Sequence, residues 1–304
     1  MEKEFWLSMY DDTEIYVKKW FKPDQKPKAI VQLAHGMAEH INRYDLFSEF
    51  LVEKNIVVFG NDHRGHGKTG NKQGSLGYFA EDNGFEKVTN DLYEVTLEIK
   101  KEYPDIPLFI LGHSMGSFLA RAYVQRYSQD IDGVILSGTG YFPKAQSMVG
   151  KQLASRLPPE EESKLMNALT FGAYNKRVEN KHTPYDWLTR DQEVVQEYIK
   201  DPYCGFVPKA RFFYDLLEGI RTIQDKQHNE AIRKDLPMLF VSGEADPVGD
   251  YTKGVWQAAN LYEKAGIETI KTMFFQDDRH EILNELNKEE VFNLLYQWLE
   301  DQMN

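Results

Sequence analysis

The segment Leu108-Phe-Ile-Leu-Gly-His-Ser-Met-Gly116 constrains this chain more than any other, because it reads as a buried strand that runs straight into a tight turn and then a helix. Leu108 to Leu111 is an apolar run of strand length, and Met115, Phe118, Leu119, Ala122 and Tyr123 recur at helical spacing. Between them lies Gly112-His113-Ser114-Met115-Gly116, a G-x-S-x-G match. At average Gly and Ser usage the bare pattern arises by chance in roughly one chain in ten of this length. Its weight therefore rests on the strand-turn-helix setting, which is what a nucleophile elbow requires. A serine on so sharp a turn takes strained backbone angles, and side chains at positions 112 and 116 would collide with the neighbouring strand and helix. The competing reading is a loop serine that caps the helix.

The flanking sequence supplies partners for that strand. Glu4 to Tyr10 and Glu14 to Phe21, separated by Asp11-Asp12-Thr13, predict a β-hairpin. Ala29 to Ala34, Ile56 to Gly60, Val134 to Leu136, Met238 to Val241 and Ile270 to Phe275 are short apolar segments suited to strands buried on both faces. Helical patterns alternate with them, as in Phe85, Val88, Leu92, Val95 and Ile99, or Val291, Leu294, Leu295 and Trp298. Such alternation predicts an α/β fold: a mostly parallel central sheet with helices on both faces. The rhythm stops after about Tyr141, where helical patches, Pro158-Pro159 and Glu160-Glu161-Glu162 occur without a convincing strand. The expected organisation is a core of residues 1–140 and 226–304 with a helical cap at 141–225 over the carboxyl ends of the strands, where open α/β sheets place their sites.

A serine hydroxyl is a weak nucleophile until a base takes its proton, and the base needs a carboxylate to fix its tautomer. Chain order on an elbow fold runs serine, acid, histidine. Of the eight histidines only His182, His228 and His280 follow Ser114. His182 lies in the insertion and His228 precedes the next strand, so His280, in the polar turn after Ile270 to Phe275, is the expected base. The turn Ser242 to Asp250 offers Asp246 as the acid; Asp250 is the runner-up, with an alternative duty as a helix N-cap, and Glu244 is third. Two fixed N–H donors should hold the oxyanion: those of Met115 and of Met37, in the turn after Ala29 to Ala34 where Gly36 allows close approach. His35 and His40 are expected to orient that turn without touching substrate.

These stretches together resemble α/β-hydrolases of the monoacylglycerol lipase and lysophospholipase-like family, also called serine aminopeptidase-like. The matching residues are His35-Gly36, Glu39-His40 and Arg43-Tyr44; Asp62 to Gly67; Gly112 to Gly116; Ser242-Gly243 with Asp246-Pro247-Val248; and His280-Glu281. The resemblance implies the α/β-hydrolase fold, Ser114, Asp246 and His280 as triad, and Met37 and Met115 as oxyanion donors. Ala38 departs from it, since the family often has glycine there. The insertion matches more loosely, through Trp187 to Asp191 and Asp201-Pro202.

Within the insertion, Phe142, Met148, Leu169, Phe171 and Phe206 are the candidates for an acyl pocket. A carboxylic ester with one acyl chain, such as a monoacylglycerol or lysophospholipid, is the expected substrate, with apolar aminopeptidase substrates or aryl and cinnamoyl esters as alternatives. A non-catalytic binding protein on the same fold is the competing class.

A net charge of −12 on balance repels nucleic acid and anionic membrane, leaving transient surface contact through the cap as the membrane role. Cys204 is the one cysteine, which excludes an internal disulfide and a multi-thiolate metal site. A charged start, Met1-Glu-Lys-Glu-Phe-Trp, without an apolar stretch behind it predicts a cytoplasmic protein with no signal peptide. No cofactor is expected. Gly65-His-Gly-Lys-Thr-Gly70 fits a dinucleotide fingerprint, but Asn71 to Tyr78 reads as a loop with no helix start for a pyrophosphate. Asp62, His63 and His66 with His35 and His40 would be the ligands of a metallohydrolase, yet they lack a helical i, i+4 histidine pair, so no metal is expected.

Overall fold

The computed structural model describes residues 1–303. Its eight strands are β1 (Glu2–Ser8), β2 (Glu14–Trp20), β3 (Ala29–Ala34), β4 (Ile56–Asn61), β5 (Leu108–His113), β6 (Gly133–Ser137), β7 (Met238–Gly243) and β8 (Ile270–Phe275). They form one sheet in the order β1-β2-β4-β3-β5-β6-β7-β8. The β1–β2 and β2–β4 pairs are antiparallel and the rest parallel. Strands β3 to β7 are buried along their whole length, because successive residues feed two different cores. Leu108 and Ile110 belong to one core, Phe109 and Leu111 to the other. That is why these strands read as unbroken apolar runs.

Helices α1 (Asp45–Glu53), α2 (Gly67–Lys72), α3 (Gly84–Glu102) and α4 (Met115–Tyr127) precede β6. Between β6 and β7 lie α5 (Lys144–Ala154), α6 (Lys164–Phe171), α7 (Gln192–Lys200), α8 (Ala210–Ile223) and α9 (Lys226–Glu230). Helices α10 (Lys253–Lys264) and α11 (Lys288–Met303) complete the chain. One sheet face is covered by α1 and α11 through Phe47, Leu51, Leu295 and Trp298. The other carries α3, α4 and α10 through Leu92, Leu119 and Tyr262. This is the α/β sheet with helices on both faces and a helical insertion that the alternation predicts.

The inserted helices start where side chains can satisfy free N–H groups. Asp191 accepts from Glu193 and Val194 at α7, and Ser163 from Met166 at α6. Helix α8 anchors the insertion: Phe212 and Phe213 are fully buried in the core of α3 and α4, so truncating either costs about 3–5 kcal/mol. Its Gly219 lies against Phe85, whose ring would be 2.3 Å from an added Cβ.

One expectation needs correction. A helix does begin in the glycine-rich stretch, at Gly67, earlier than the loop reading allows. Its N-terminus is engaged by protein: Asp62 Oδ2 accepts the Lys68 N–H at 2.7 Å and sits where a Gly67 side chain would be. The carboxylate takes the position a phosphate would need.

Candidate active site

Ser114 stands between β5 and α4 with φ 53° and ψ −118°, an angle pair that non-glycine residues rarely take. The turn is held by its N–H, which donates to Ser137 O of β6 at 2.9 Å. Its glycines are set by contact: a Cβ on Gly112 would lie 2.3 Å from Gly116 O, and one on Gly116 1.9 Å from Ala34 O. Elbow, first turn of α4 and end of β3 are therefore packed backbone to backbone.

His280 Nδ1 donates to Asp246 Oδ1 at 3.0 Å, and both side chains are buried. Asp246 is fixed in turn by Val248 N–H at 2.8 Å and Ser242 Oγ at 3.2 Å. Burial alone would lower the His280 pKa; Asp246 outweighs it, with Glu281 and Glu39 adding, and holds the imidazole above its ordinary range. His113 packs beside it, ring centroids 4.6 Å apart, and is driven down to about 3 by burial and by His280. One ring of the pair is poised to take a proton and the other stays neutral. Ser114 and His280 line one cavity; Ser114 Oγ and the imidazole are not hydrogen-bonded in this arrangement, as is common before substrate tightens such sites. Asp250 is exposed, and Thr252, not Asp250, is the N-cap of α10.

The turn after β3 is built by buried polar groups. His35 Nδ1 donates to Gly36 O at 2.7 Å and its Nε2 accepts His63 N–H at 3.0 Å, which fixes the tautomer. Burial pushes His63 to about 3 and His66 to about 4, so this stack of rings is neutral; His63 Nε2 and His66 Nδ1 serve backbone carbonyls, while His63 Nδ1 faces the Asn61 amide and His66 Nε2 has no partner. Ala38 takes φ 54°, the left-handed conformation that glycine would adopt freely. Its carbonyl accepts both Gly205 N–H (2.9 Å) and Tyr198 OH (3.0 Å) from the insertion.

Three features are not legible in the motifs. Arg43 bridges Glu39 (2.7 Å) and Glu281 (two bonds of 2.6 Å), while Glu39 also accepts the Gly36 N–H and Tyr44 OH. Burial would raise the Glu281 pKa, but Arg43 overrides it and holds the carboxyl at about 2. The network thus ties the Met37 turn to the residue after His280. Second, His280 and Glu281 N–H donate to the carbonyls of Trp187 and Leu188, so the insertion also braces the histidine turn. Third, Gly138 has φ 59°, and a Cβ there would lie 2.9 Å from His280 Cε1.

The cavity measures about 290 Å³. Met37, Ser114, His280, Phe171 and Phe206 line it, with Ala168, Trp187 and Leu188 adding apolar wall. Three expected pocket residues lie elsewhere. Met148 and Leu169 are 61% and 62% exposed, and Phe142 packs edge-on against Phe118. Apolar spacing cannot tell which side of a short helix faces the cavity. Met115, directly after the serine, is buried at the start of α4.

A family model described as serine aminopeptidase, S33, matches residues 25–287. A monoglyceride lipase homolog of Monkeypox virus is 38% identical over 79% of this chain and 78% of its own length. The monoglyceride lipase of Rattus norvegicus is 25% identical over 94% of this chain and 86% of its own. A thermostable carboxyl esterase from Bacillus coagulans, solved in complex with glycerol, matches with a TM-score of 0.91 at 29% identity, covering 100% of this chain and 99% of that one.

Proposed function

The chain belongs to the serine aminopeptidase, S33, family of α/β-hydrolases, and on that premise we propose that it is a serine hydrolase cleaving carboxylic esters with one acyl chain, of the monoacylglycerol type. Ser114 Oγ attacks the ester carbonyl as His280 Nε2 takes its proton, and Asp246 stabilises the imidazolium through Nδ1–H. The N–H groups of Met37 and Met115 receive the oxyanion. The proton passes to the leaving alcohol, and water, deprotonated by the same imidazole, releases the fatty acid from Ser114. The relatives named monoglyceride lipase support the substrate class.

The observation that carries this reading is one apolar cavity ending on both Ser114 and His280. One side of the cavity comes from residues 167–206 and the other from the Met37 turn, the elbow and the His280 turn, which supports the division into a core of 1–140 and 226–304 and a cap of 141–225. Leu165, Leu169, Met148 and Val149 are exposed on that segment, which supports transient contact with a lipid surface. No helix among the described residues is long and apolar enough to cross a membrane; we place the protein in the cytoplasm, with a single-chain lipid ester as partner and no nucleic acid.

The test is a series of p-nitrophenyl esters from two to twelve carbons, with Ser114→Ala as control. Each methylene buried in the transition state contributes about 0.8 kcal/mol, so kcat/KM should climb about fourfold per carbon until the cavity is full. A flat profile, or an aminoacyl-anilide cleaved faster than any ester, would sink the lipid-ester reading; full activity in Ser114→Ala would sink the elbow with it.

A further inference from the structure

We infer that His40 Nε2, Asp201 Oδ2 and Cys204 Sγ form a binding site for a zinc-class divalent cation, which ties the turn carrying Met37 to the segment between α7 and α8. The three donor atoms all lie within 4.8 Å of one another. Imidazole, carboxylate and thiolate are the donors that zinc combines in its four-coordinate sites. The fold assembles them from two distant places. Cys204 N–H donates to Asp201 O at 3.0 Å, closing a turn that presents both side chains together, and His40 approaches from 161 positions away, already 2.8 Å from Asp201 Oδ2. Tyr203 N–H binds Asp201 Oδ1 at 2.8 Å, which fixes the carboxylate with Oδ2 turned toward His40.

The surroundings favour a cation. Arg43 and, across the second cavity, Lys288 are the nearby positive charges, and the carboxylates of Glu39, Glu281, Asp45 and Glu197 outnumber them even before Asp201 is counted. Tyr185 and Tyr198 are the other titratable groups facing Cys204. His40 and Asp201 also line a second cavity of about 320 Å³, which offers an entry path and room for a water as fourth ligand. Burial pushes the Cys204 thiol up, so the metal-free protein keeps it protonated. Binding then breaks the His40 Nε2–H···Asp201 Oδ2 bond, with the neutral imidazole carrying its proton on Nδ1 instead, and replaces the S–H bond by an S–Zn bond whose proton goes to solvent, so affinity rises with pH. The consequence is mechanical. Ala38 O already accepts from Tyr198 and Gly205, and the ion replaces the remaining link, the His40–Asp201 hydrogen bond three residues from Met37, by a metal bridge that also takes in Cys204.

The site is independent of the ester reading, and its test reads metal rather than turnover. Chelator-stripped full-length protein is titrated with Zn²⁺ alone against a chromophoric chelator, and separately with Co²⁺ alone. One tight ion per chain, a thiolate-to-cobalt charge-transfer absorption, and a melting temperature raised by a few degrees at a hundredfold excess over Kd are expected. Cys204→Ser and Asp201→Asn should each weaken binding about a hundredfold and remove the thermal shift, while Cys204→Ser keeps its metal-free ester hydrolysis. Should Cys204→Ser fail to fold, Asp201→Asn carries the comparison. Less than one zinc per chain, no cobalt–thiolate absorption, or wild-type affinity in both variants overturns the site.

Discussion

Gly138→Ala tests how tightly the base is held. The backbone at 138 cannot retreat, because Gly138 N–H donates to Val241 O at 3.0 Å within the sheet. A new Cβ would stand 2.9 Å from His280 Cε1 and 3.1 Å from both His280 Nδ1 and His113 Cε1. Comfortable carbon contacts begin near 3.5 Å, so the His280 ring must shift by roughly half an ångström against its bond to Asp246. A misplacement of about 1 Å costs on the order of a hundredfold; half of that predicts a loss of about tenfold in kcat, or 1.4 kcal/mol. Stability should change less. The left-handed φ of 59° costs alanine about 1–2 kcal/mol, and the reduced entropy of the unfolded chain returns about 0.4–1 of it. The assay is steady-state hydrolysis of a short p-nitrophenyl ester beside thermal melting. Wild-type kcat in a folded Gly138→Ala protein would refute the claim that this glycine sets the ring, and a melting shift large enough to unfold the protein at assay temperature would refute the division of the cost.

Asp246→Asn should lower kcat by about four orders of magnitude through the wrong histidine tautomer, whereas Asp250→Asn, on an exposed turn, should stay within a few-fold of wild type; the ratio of the two kcat values decides. Because Asp246 raises the His280 pKa and catalysis needs the neutral ring, kcat/KM should fall as pH drops through a value above 6.5, and a limb at or below 6.5 in a pH–rate profile would contradict the pairing. Glu281→Gln leaves buried Arg43 with Glu39 as its remaining carboxylate and should cost about 3 kcal/mol in a urea melt at neutral pH. Since the Glu281 carboxyl is held at about 2 against an ordinary 4.5, that stabilisation is fully present above 4.5 and fades as pH falls toward 2, so variant and wild type should converge there.

Much of the sheet is legible because its signals are local. Leu108 to Gly116 carries strand, turn and helix start within nine positions, and each close approach that fixes Gly112 and Gly116 is to backbone, which any sequence supplies. The Asp246 and His280 turns are legible through order along the chain, and the structure brings them within 3.0 Å. Illegible features depend on pairings that spacing cannot express. Arg43 and Glu281 meet across 238 positions, and Gly138 follows β6 with nothing in its neighbours to announce the His280 ring. Helix α2 escapes notice because glycines at 67 and 70 are poor helix formers, and what starts it is Asp62, outside the helix. Met148 and Leu169 escape for another reason: a short helix with apolar residues on more than one side has no single inward face until its neighbours are placed.

The bonds from His280 and Glu281 to the carbonyls of Trp187 and Leu188, with those of Arg279 to Asp186 and Thr189, bear on how such proteins can be recombined. A chimaera that exchanges everything between β6 and β7 for the equivalent stretch of a relative would remove the rail on which the histidine turn rests. Crossover points placed after Tyr141 and before Pro184, leaving 186–190 native, would exchange the part of the cavity wall that Ala168 and Phe171 supply while sparing the reacting groups. The tract joining β6 to β7 is thus two inheritable parts, one free to diverge with the substrate and one bound to the chemistry.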